Sequence, residues 1–313
     1  MKKSKFFKYA VAALLTMSAS VTSAATLKVG TGSESGNYFA MGQDIQDYCQ
    51  PDLSQDSIEP MSSTGSVDNL VGMQTKKFAM GMVQEDVLRY YAKRTPGKVN
   101  ENRVKVITAL HVEAMHLLIP KGYEPKGSKG NFFTSFFSDD KPQKLDINLL
   151  KGQVISAWGG SIVSAEALSS FFGLNAKVTE IKEGAMSKNP IIIVSGYPSA
   201  VVESYLETGK YNLVSMDFDV VRQRAPFYTE EFLNYSINGK MKSIPTIGVR
   251  ALLIGKSFRR EDRNITASEL STCIEEYLAD LADDPSTNPN WASVYDYVEN
   301  GGQVAWKYFP LLK

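Results

Sequence analysis

The chain has 313 residues, 43% of them hydrophobic, and its 34 Lys and Arg residues balance 34 Asp and Glu residues. This length is enough for one large domain or two of ordinary size. The balanced charge argues against nucleic acid and anionic membrane surfaces as partners. Two histidines without a Cys/His cluster argue against a zinc site, so we expect no metal and no cofactor.

The first 25 residues have the layout of a secretory signal peptide. A segment with four lysines, residues 1–8, precedes an apolar run over residues 9–17, and small residues fill 18–25. We expect cleavage near Ala24 or Ala25. No later segment has the length of a membrane span, so we expect a soluble mature protein in the periplasm.

Strand and helix signals then alternate along the chain, which is typical of an α/β fold with a largely parallel sheet. The predicted elements of the first part are a strand at 27–29, a helix capped by Asn37 that ends before Pro51, a helix capped by Ser66, a strand at 78–83, and strands at 104–110 and 114–119.

Residues 122–144 interrupt this alternation, being rich in Gly, Lys, Pro and Ser, and we predict a long loop there. Its four phenylalanines, within 132–137, fit a cleft lid or a partner surface. The alternation resumes with predicted strands at 153–157, 177–181, 191–194, 211–216 and 246–254, and with helices at 161–172, 199–208, 267–281 and 290–299.

Two Gly/Ser/Thr-rich loops stand where a predicted strand meets a helix, GTGSESGNYF from Gly30 and SSTGSVDN from Ser62. Glycine lets a ligand approach the backbone, and a helix N-terminus offers unpaired N–H groups to an anion. We expect the two loops to line one cleft. The candidate ligand-binding residues are Ser33, Ser35, Gly36 and Tyr38 in the first loop, and Thr64, Gly65, Ser66 and Asn69 in the second.

Two other interpretations of these loops exist. Both could be structural turns with ordinary helix caps. The glycines of the first loop also approximate a dinucleotide fingerprint, but their spacing does not fit G-x-G-x-x-G and no acidic residue follows at the expected distance.

The segments VGTGSESGNYFAMG, SSTGSVDNL and FAMGMVQED resemble the TAXI group of solute-binding proteins from tripartite ATP-independent periplasmic (TRAP) transporters. HVEAMHLLIP, LLKGQVISAWGGS, IIIVSGYPSA and IPTIGVRALLIGK extend the resemblance in the same order over most of the chain. The resemblance departs at Trp158 to Ile162, where the family usually reads G-x-x-x-S-G-T, and residues 122–144 are longer than expected.

The resemblance implies an α/β, two-lobed periplasmic binding protein, type II-like, with two Rossmann-like lobes joined by a hinge. After the signal peptide (1–25), lobe I would comprise 26–112 and 222–313, and lobe II 113–221. Such a protein binds a small organic anion or amino acid between its lobes, here a dicarboxylate, glutamate or 2-oxoglutarate. It delivers that ligand to the membrane permease subunits of a TRAP transporter, and we expect it to be a monomer.

Six further residues are candidates for the ligand site, each with an alternative role. Gln84 and Asp86 end a predicted strand, where open α/β sheets bind ligands, although Asp86 could instead cap the next helix. Trp158, Gly160 and Ser161 would come from the second lobe, although Trp158 could be a core residue. The Tyr197 hydroxyl could reach the cleft or simply pack.

Other polar residues remain open at this point. Glu113 and His116 fit packing or hinge roles better than ligand binding. Arg250 lies in an apolar run and needs either an internal acid or the ligand carboxylate. Cys49 and Cys273 could be bonded or free.

A binding protein without catalytic activity explains these features best. An exported hydrolase using Ser33 or Ser161 would need a base, and only His111 and His116 are available, in or beside apolar strands. A periplasmic sensor that presents its closed form to a receptor is the second alternative.

Overall fold

The structure is a computed structural model that describes residues 25–125, 144–237 and 239–311. The predicted signal peptide, apart from Ala25, lies outside the described residues, as do residues 126–143 of the predicted long loop with their four phenylalanines.

The described residues form ten strands: β1 (Thr26–Gly30), β2 (Ser57–Met61), β3 (Met80–Gln84), β4 (Val104–Pro120), β5 (Val154–Ala157), β6 (Lys177–Glu180), β7 (Ile191–Ser195), β8 (Tyr211–Leu213), β9 (Tyr228–Ile237) and β10 (Lys240–Lys256). They also form nine α-helices: α1 (Asn37–Cys49), α2 (Ser66–Thr75), α3 (Glu85–Arg94), α4 (Gly160–Phe172), α5 (Ala200–Glu207), α6 (Phe218–Arg222), α7 (Glu261–Glu276), α8 (Leu278–Asp283) and α9 (Trp291–Glu299).

The described strands join in one mixed sheet with the order β2-β1-β3-β10-β4-β7-β5-β6, while β8 pairs with β4 and β9 with β10. At one end β1 runs parallel to β2 and β3, and at the other β5 runs parallel to β6 and β7. Between them, the antiparallel pair β4 and β10, each 17 residues long, runs from one α/β unit into the other.

Strand β4 replaces the two strands and the link that we predicted over 104–119. His111 and Glu113 interrupt the apolar pattern in the middle of the segment and suggested a break there. Both lie within the single strand β4: Glu113 pairs with Val249 of β10, and His111 lies at an irregularity of the ladder, between the pairs Val112–Arg250 and Ala109–Leu252.

Each unit buries apolar side chains on both faces of its part of the sheet. In the first unit, α1, α7, α8 and α9 cover one face, with Met41 and Trp291 fully buried, and α2 and α3 cover the other around Phe78 and Leu88. The second unit buries Leu168 of α4 against one face, and Val202 and Tyr205 of α5 against the other. The molecule therefore has the two-lobed α/β architecture that the resemblance implies.

Strand β9 and the first half of β10 pack with the second lobe. Tyr228, Ile247 and Val249 belong to its core, and Leu233 and Tyr235 to the cluster around α5. On this packing we propose that the chain returns to the first lobe within β10, near Arg250, rather than near residue 222 as we predicted. The hairpin was missed because YTEEFLNYSI contains two adjacent glutamates and only three buried residues.

The two cysteines, which the sequence left open, form a disulfide. Cys49 at the end of α1 is bonded to Cys273 in α7, with their Cα atoms 5.8 Å apart. The predicted helix over 267–281 is in fact α7, which starts six residues earlier, followed by the separate helix α8. Glu261 and Asp262 occupy the first turn of α7, where carboxylates favour a helix N-terminus.

Candidate functional site

The two glycine-rich loops lie side by side at the carboxyl edge of the first lobe. Because β1 is parallel to both β2 and β3, the segments that follow β1 and β2 meet at one edge of the sheet. Ser63 joins them: its amide donates to the Gly32 carbonyl at 2.9 Å and its hydroxyl to the Thr31 carbonyl at 3.0 Å. The loops are therefore neighbours, while their lining of one ligand cleft stays a prediction.

Glycines cap the helices that follow these loops. Gly36 is the N-cap of α1 and Gly65, with φ of 100°, is the N-cap of α2; Asn37 and Ser66, the predicted caps, are the first helical residues instead. Within the described part of the chain, no side chain caps either helix. The first-turn amides of both helices are therefore free of side-chain acceptors, while Ser33, Ser35 and Thr64 of the loops are exposed to solvent.

Two of the predicted ligand contacts instead hold the first lobe together. The Asn69 side chain is fully buried, and its amide nitrogen donates to the carbonyls of Thr31 at 2.6 Å and Met82 at 2.7 Å. The Ser66 hydroxyl accepts from the backbone amide of Gln84 at 3.0 Å. Neither side chain reaches the loop surface, so we no longer assign them to ligand contact.

Two other predicted residues of the first lobe, Tyr38 and Gln84, meet in a hydrogen-bonded cluster at the crossing between the lobes. The side-chain nitrogen of Gln84, Nε2, donates to Glu113 Oε2 at 2.7 Å, and the Tyr38 hydroxyl donates to the same oxygen at 3.1 Å. The Gln84 amide oxygen accepts from the Ser164 hydroxyl of α4 at 3.2 Å. The Gln84 side chain thus connects β3 of the first lobe with β4, which runs between the lobes, and with α4 of the second lobe.

Asp86 lies beside this cluster and is completely buried. Its carboxylate accepts from the Val87 amide at 2.7 Å and from the Tyr228 hydroxyl at 3.3 Å. Burial raises the pKa of Asp86 to about 6, and burial also raises the pKa of Glu113 to about 7, although the hydrogen bonds from Gln84 and Tyr38 lower it. Two acidic groups therefore titrate close to neutral pH at the junction of the lobes.

The predicted residues of the second lobe divide differently. The Ser161 hydroxyl accepts from the Val194 amide at 2.9 Å, so it fastens α4 to β7. Trp158 is half-buried and stacks on Tyr205 with the ring centroids 6.1 Å apart, a packing role. The Tyr197 hydroxyl both donates to and accepts from the backbone of Asn234, at 2.7 Å and 2.8 Å, which also matches the packing alternative.

The lobes are in contact in this structure. A Cβ atom placed on Gly160 would lie 3.9 Å from the Gln84 amide oxygen, and one on Gly196 would lie 2.8 Å from Asn37 Nδ2. Nearby, the Tyr90 hydroxyl of α3 donates to Glu166 of α4 at 3.0 Å. Polar side chains of the two lobes thus meet directly at the crossing.

Sequence reasoning missed two members of this cluster, Ser164 and Tyr228, and favoured a packing or hinge role for a third, Glu113. A carboxylate inside the apolar segment HVEAMHLLIP was a signal for Glu113, because a charge in a buried strand needs polar partners. Ser164 follows Ser161 by one helical turn and so shares its face. Nothing local marks Tyr228, which reaches Asp86 from 142 residues away.

The histidines do not form a catalytic arrangement with the candidate serines. The His116 ring contacts the Tyr235 hydroxyl at 2.9 Å and the Ile193 carbonyl at 3.4 Å, and the His111 ring packs edge-on against Tyr38. Burial lowers the pKa of both histidines to about 4. Among the described residues, neither imidazole has a hydrogen bond to Ser33 or Ser161.

Arg250 finds partners other than the two we considered. Its guanidinium donates to the Leu110 carbonyl at 2.7 Å and lies 3.4 Å from the centroid of the Tyr297 ring. Over the described ranges, no group of three or more His, Cys, Asp or Glu residues could hold a metal ion. Within that same part of the chain, every helix is too short or too polar to cross a bilayer.

The chain is similar in structure to several solved proteins. The chain covers 85% of a solved protein from Bordetella bronchiseptica, over 91% of its own length, at 12% identity and a TM-score of 0.49. It covers 86% of the ligand-binding component of an ABC-type import system from Staphylococcus aureus, over 92% of its own length, at 10% identity and a TM-score of 0.47. It covers 96% of an ancestral arginine-binding protein bound to glutamine, over 87% of its own length, at 13% identity and a TM-score of 0.41.

No protein with curated annotation matches the chain. A family model does match, over residues 29–263, and this range includes both glycine-rich loops, the cluster at the crossing and strands β1 to β10 apart from the first residues of β1. The chain therefore belongs to the NMT1-like family.

Proposed function

We propose that this protein is an extracytoplasmic solute receptor that closes its two lobes around a small organic anion or amino acid. The observation that carries the proposal is the hydrogen-bonded cluster at the crossing, in which Gln84 of the first lobe contacts both Glu113 of β4 and Ser164 of the second lobe. Polar groups from both lobes can exchange these mutual contacts for contacts with a ligand, which would then be held between the lobes.

The charges around the cleft support an amino acid within that class. The helix starts behind Gly36 and Gly65 offer backbone N–H groups and the positive end of the helix dipole, which suit a carboxylate. Glu113 and Asp86 supply buried carboxyl groups, which suit an ammonium group. A dicarboxylate or 2-oxoglutarate would satisfy only the first of these regions, whereas glutamate would satisfy both.

For the partner, we propose the membrane permease of a TRAP-type transporter, on the strength of the sequence resemblance to the TAXI group. Under this proposal the mature protein acts in the periplasm as a monomer. A sensor that presents its closed form to a receptor would use the same cleft, and a pull-down with the permease subunits distinguishes the two.

The test is ligand binding by the mature protein after its bound ligand has been removed by unfolding and refolding. A thermal-shift panel of amino acids, dicarboxylates and oxoacids is followed by calorimetry on any hit. A ligand at about a hundred times its dissociation constant adds roughly 2.7 kcal/mol of stability, a shift of several degrees. A selective shift by an amino acid supports the proposal, and a panel without any shift contradicts the proposed ligand class.

The variant Gln84→Ala locates the site. We expect it to weaken ligand binding at least tenfold, about 1.4 kcal/mol, because it removes the group that links the lobes. Glu207→Gln, on the exposed end of α5, serves as the control and should bind like the wild type. Equal affinity of the Gln84 variant and the control would place the ligand elsewhere.

A further inference from the structure

A second concave surface lies on the first lobe at the opposite edge of the sheet from the proposed cleft. Its cavity of about 930 Å³ is lined by the first residues of β1, the turn after α2, the segment before β4 and the segment between β10 and α7. These residues lie at the amino end of β1, whereas the glycine-rich loop follows its carboxyl end. Four peptide units of extended chain separate the two surfaces by roughly 13 Å.

We call this surface the basic groove, because nine of its 22 lining residues are Lys or Arg and none is Asp or Glu. These nine are more than a quarter of the 34 cationic residues in a chain whose total charge is balanced. Two of them are neutralised, Lys77 by Asp68 at 3.2 Å and Arg260 by Asp262. Among the described residues, no carboxylate forms an ion pair with the other seven.

Two of those seven converge on one aromatic ring of the groove. Lys256 and Arg263 both lie near Phe258, with Nζ 5.7 Å and Cζ 6.0 Å from its centroid. Burial lowers the pKa of Lys256, and the charges of Arg263 and Lys76 lower it further, as expected where like charges are close.

The polar atoms at this point are incompletely satisfied. Lys256 donates to the Met73 carbonyl at a long 3.4 Å, and Arg263 Nε is buried without a hydrogen-bond partner among the described residues. A buried guanidinium nitrogen without an acceptor among the described residues, near the Lys256 ammonium group, is costly unless an anion supplies the missing acceptor.

From this arrangement we infer that the basic groove is a second ligand site, which binds a small, multiply charged anion of the phosphate type. Guanidinium groups match the geometry of phosphate oxygens, and several cations that face one concavity favour several negative charges on one ligand. The cavity has the volume of a small-molecule site rather than of a flat protein interface. This inference does not depend on the function proposed for the cleft.

Calorimetry of the mature protein with sodium tripolyphosphate tests the inference, at constant ionic strength and with citrate as the carboxylate comparison. We expect saturable binding to one site, tighter for tripolyphosphate than for citrate, and weaker as salt is raised. The absence of saturable binding overturns the inference. Tighter binding of a poly-glutamate peptide than of tripolyphosphate also overturns it, because the groove would then fit an acidic protein segment.

Variants assign the binding to the groove. Lys256→Gln with Arg263→Gln should reduce the affinity for tripolyphosphate at least tenfold. Lys98→Gln with Arg259→Gln, both exposed on the rim and able to change without disturbing the fold, should reduce it severalfold. The control, Lys151→Gln with Lys188→Gln, removes the same charge from exposed sites on the second lobe. Equal losses in the control and the groove variants would mean non-specific attraction and contradict the inference.

Discussion

Replacing Glu113 by glutamine should flatten the dependence of stability on pH. Burial raises the pKa of this carboxyl group from 4.5 to about 7. The folded protein therefore binds a proton that the unfolded chain has released between these two pH values. The stability that this proton contributes is fully present below about pH 4.5 and is lost as the pH rises through about 7.

The size of the effect follows from the pKa difference. A pKa difference of about 2.5 corresponds to roughly 3 kcal/mol in the free energy of unfolding. We reduce this to about 2 kcal/mol because part of the Glu113 side chain contacts solvent. The substituted glutamine side chain can still accept from Gln84 and Tyr38 but carries no charge. Above pH 7 the variant should be more stable than the wild type by about 2 kcal/mol, while near pH 4.5 the two should be similar.

The assay is urea unfolding of the mature protein at pH values from 4.5 to 8 at constant ionic strength. Glu207→Gln, which removes an exposed carboxylate, serves as the matched control and should reproduce the wild-type profile. Asp86, whose pKa is raised to about 6, adds a slope between about pH 4 and 6 that both variants keep. If Glu113→Gln runs parallel to the wild type over the whole range, the carboxyl group does not titrate in the way described.

Three further changes test the packing around the site. Replacing Cys49 and Cys273 together by Ala should lower the free energy of unfolding by about 2–5 kcal/mol, since the disulfide joins residues 224 positions apart. A reducing agent should then leave the stability of the variant unchanged. Gly196→Ala would bring Cβ to 2.8 Å from the side-chain amide nitrogen of Asn37, the first residue of α1. We therefore expect a more open average shape by small-angle X-ray scattering and weaker ligand binding. An unchanged radius of gyration would contradict the contact. Gly30→Ala would place Cβ 2.4 Å from the Asn69 amide oxygen and should cost about 1–3 kcal/mol in thermal unfolding, while a neutral result would show that the sheet has room there.

Much of the architecture was predictable because it depends on local patterns. The alternation of short apolar strands with amphipathic helices indicated an α/β fold, and glycine-rich segments after β1 and β2 indicated loops at one edge of the sheet. Parallel neighbouring strands end at the same edge, so once β1 and β2 pair in the structure the loops after them meet, as the contact between Ser63 and the first loop shows.

The direction of individual side chains was not predictable in the same way. Asn69, Ser66 and Ser161 have the composition of a ligand-binding set, and each instead donates to or accepts from a distant strand or loop backbone. Such a choice depends on which backbone groups are left unpaired when sheet and helices pack, and buried backbone groups must find partners.

The fold class, the positions of the loops and the presence of enough apolar surface for two lobes could be predicted from the chain, since these properties follow from periodicity and strand ends. The hydrogen bonds that Gln84, Glu113 and Ser164 share, and the groove lined by cations from Lys28 to Arg263, became visible in the folded molecule alone. These groups are separated by tens to hundreds of residues along the chain. Their proximity results from long-range packing of β4, β10 and α4, which no local pattern specifies.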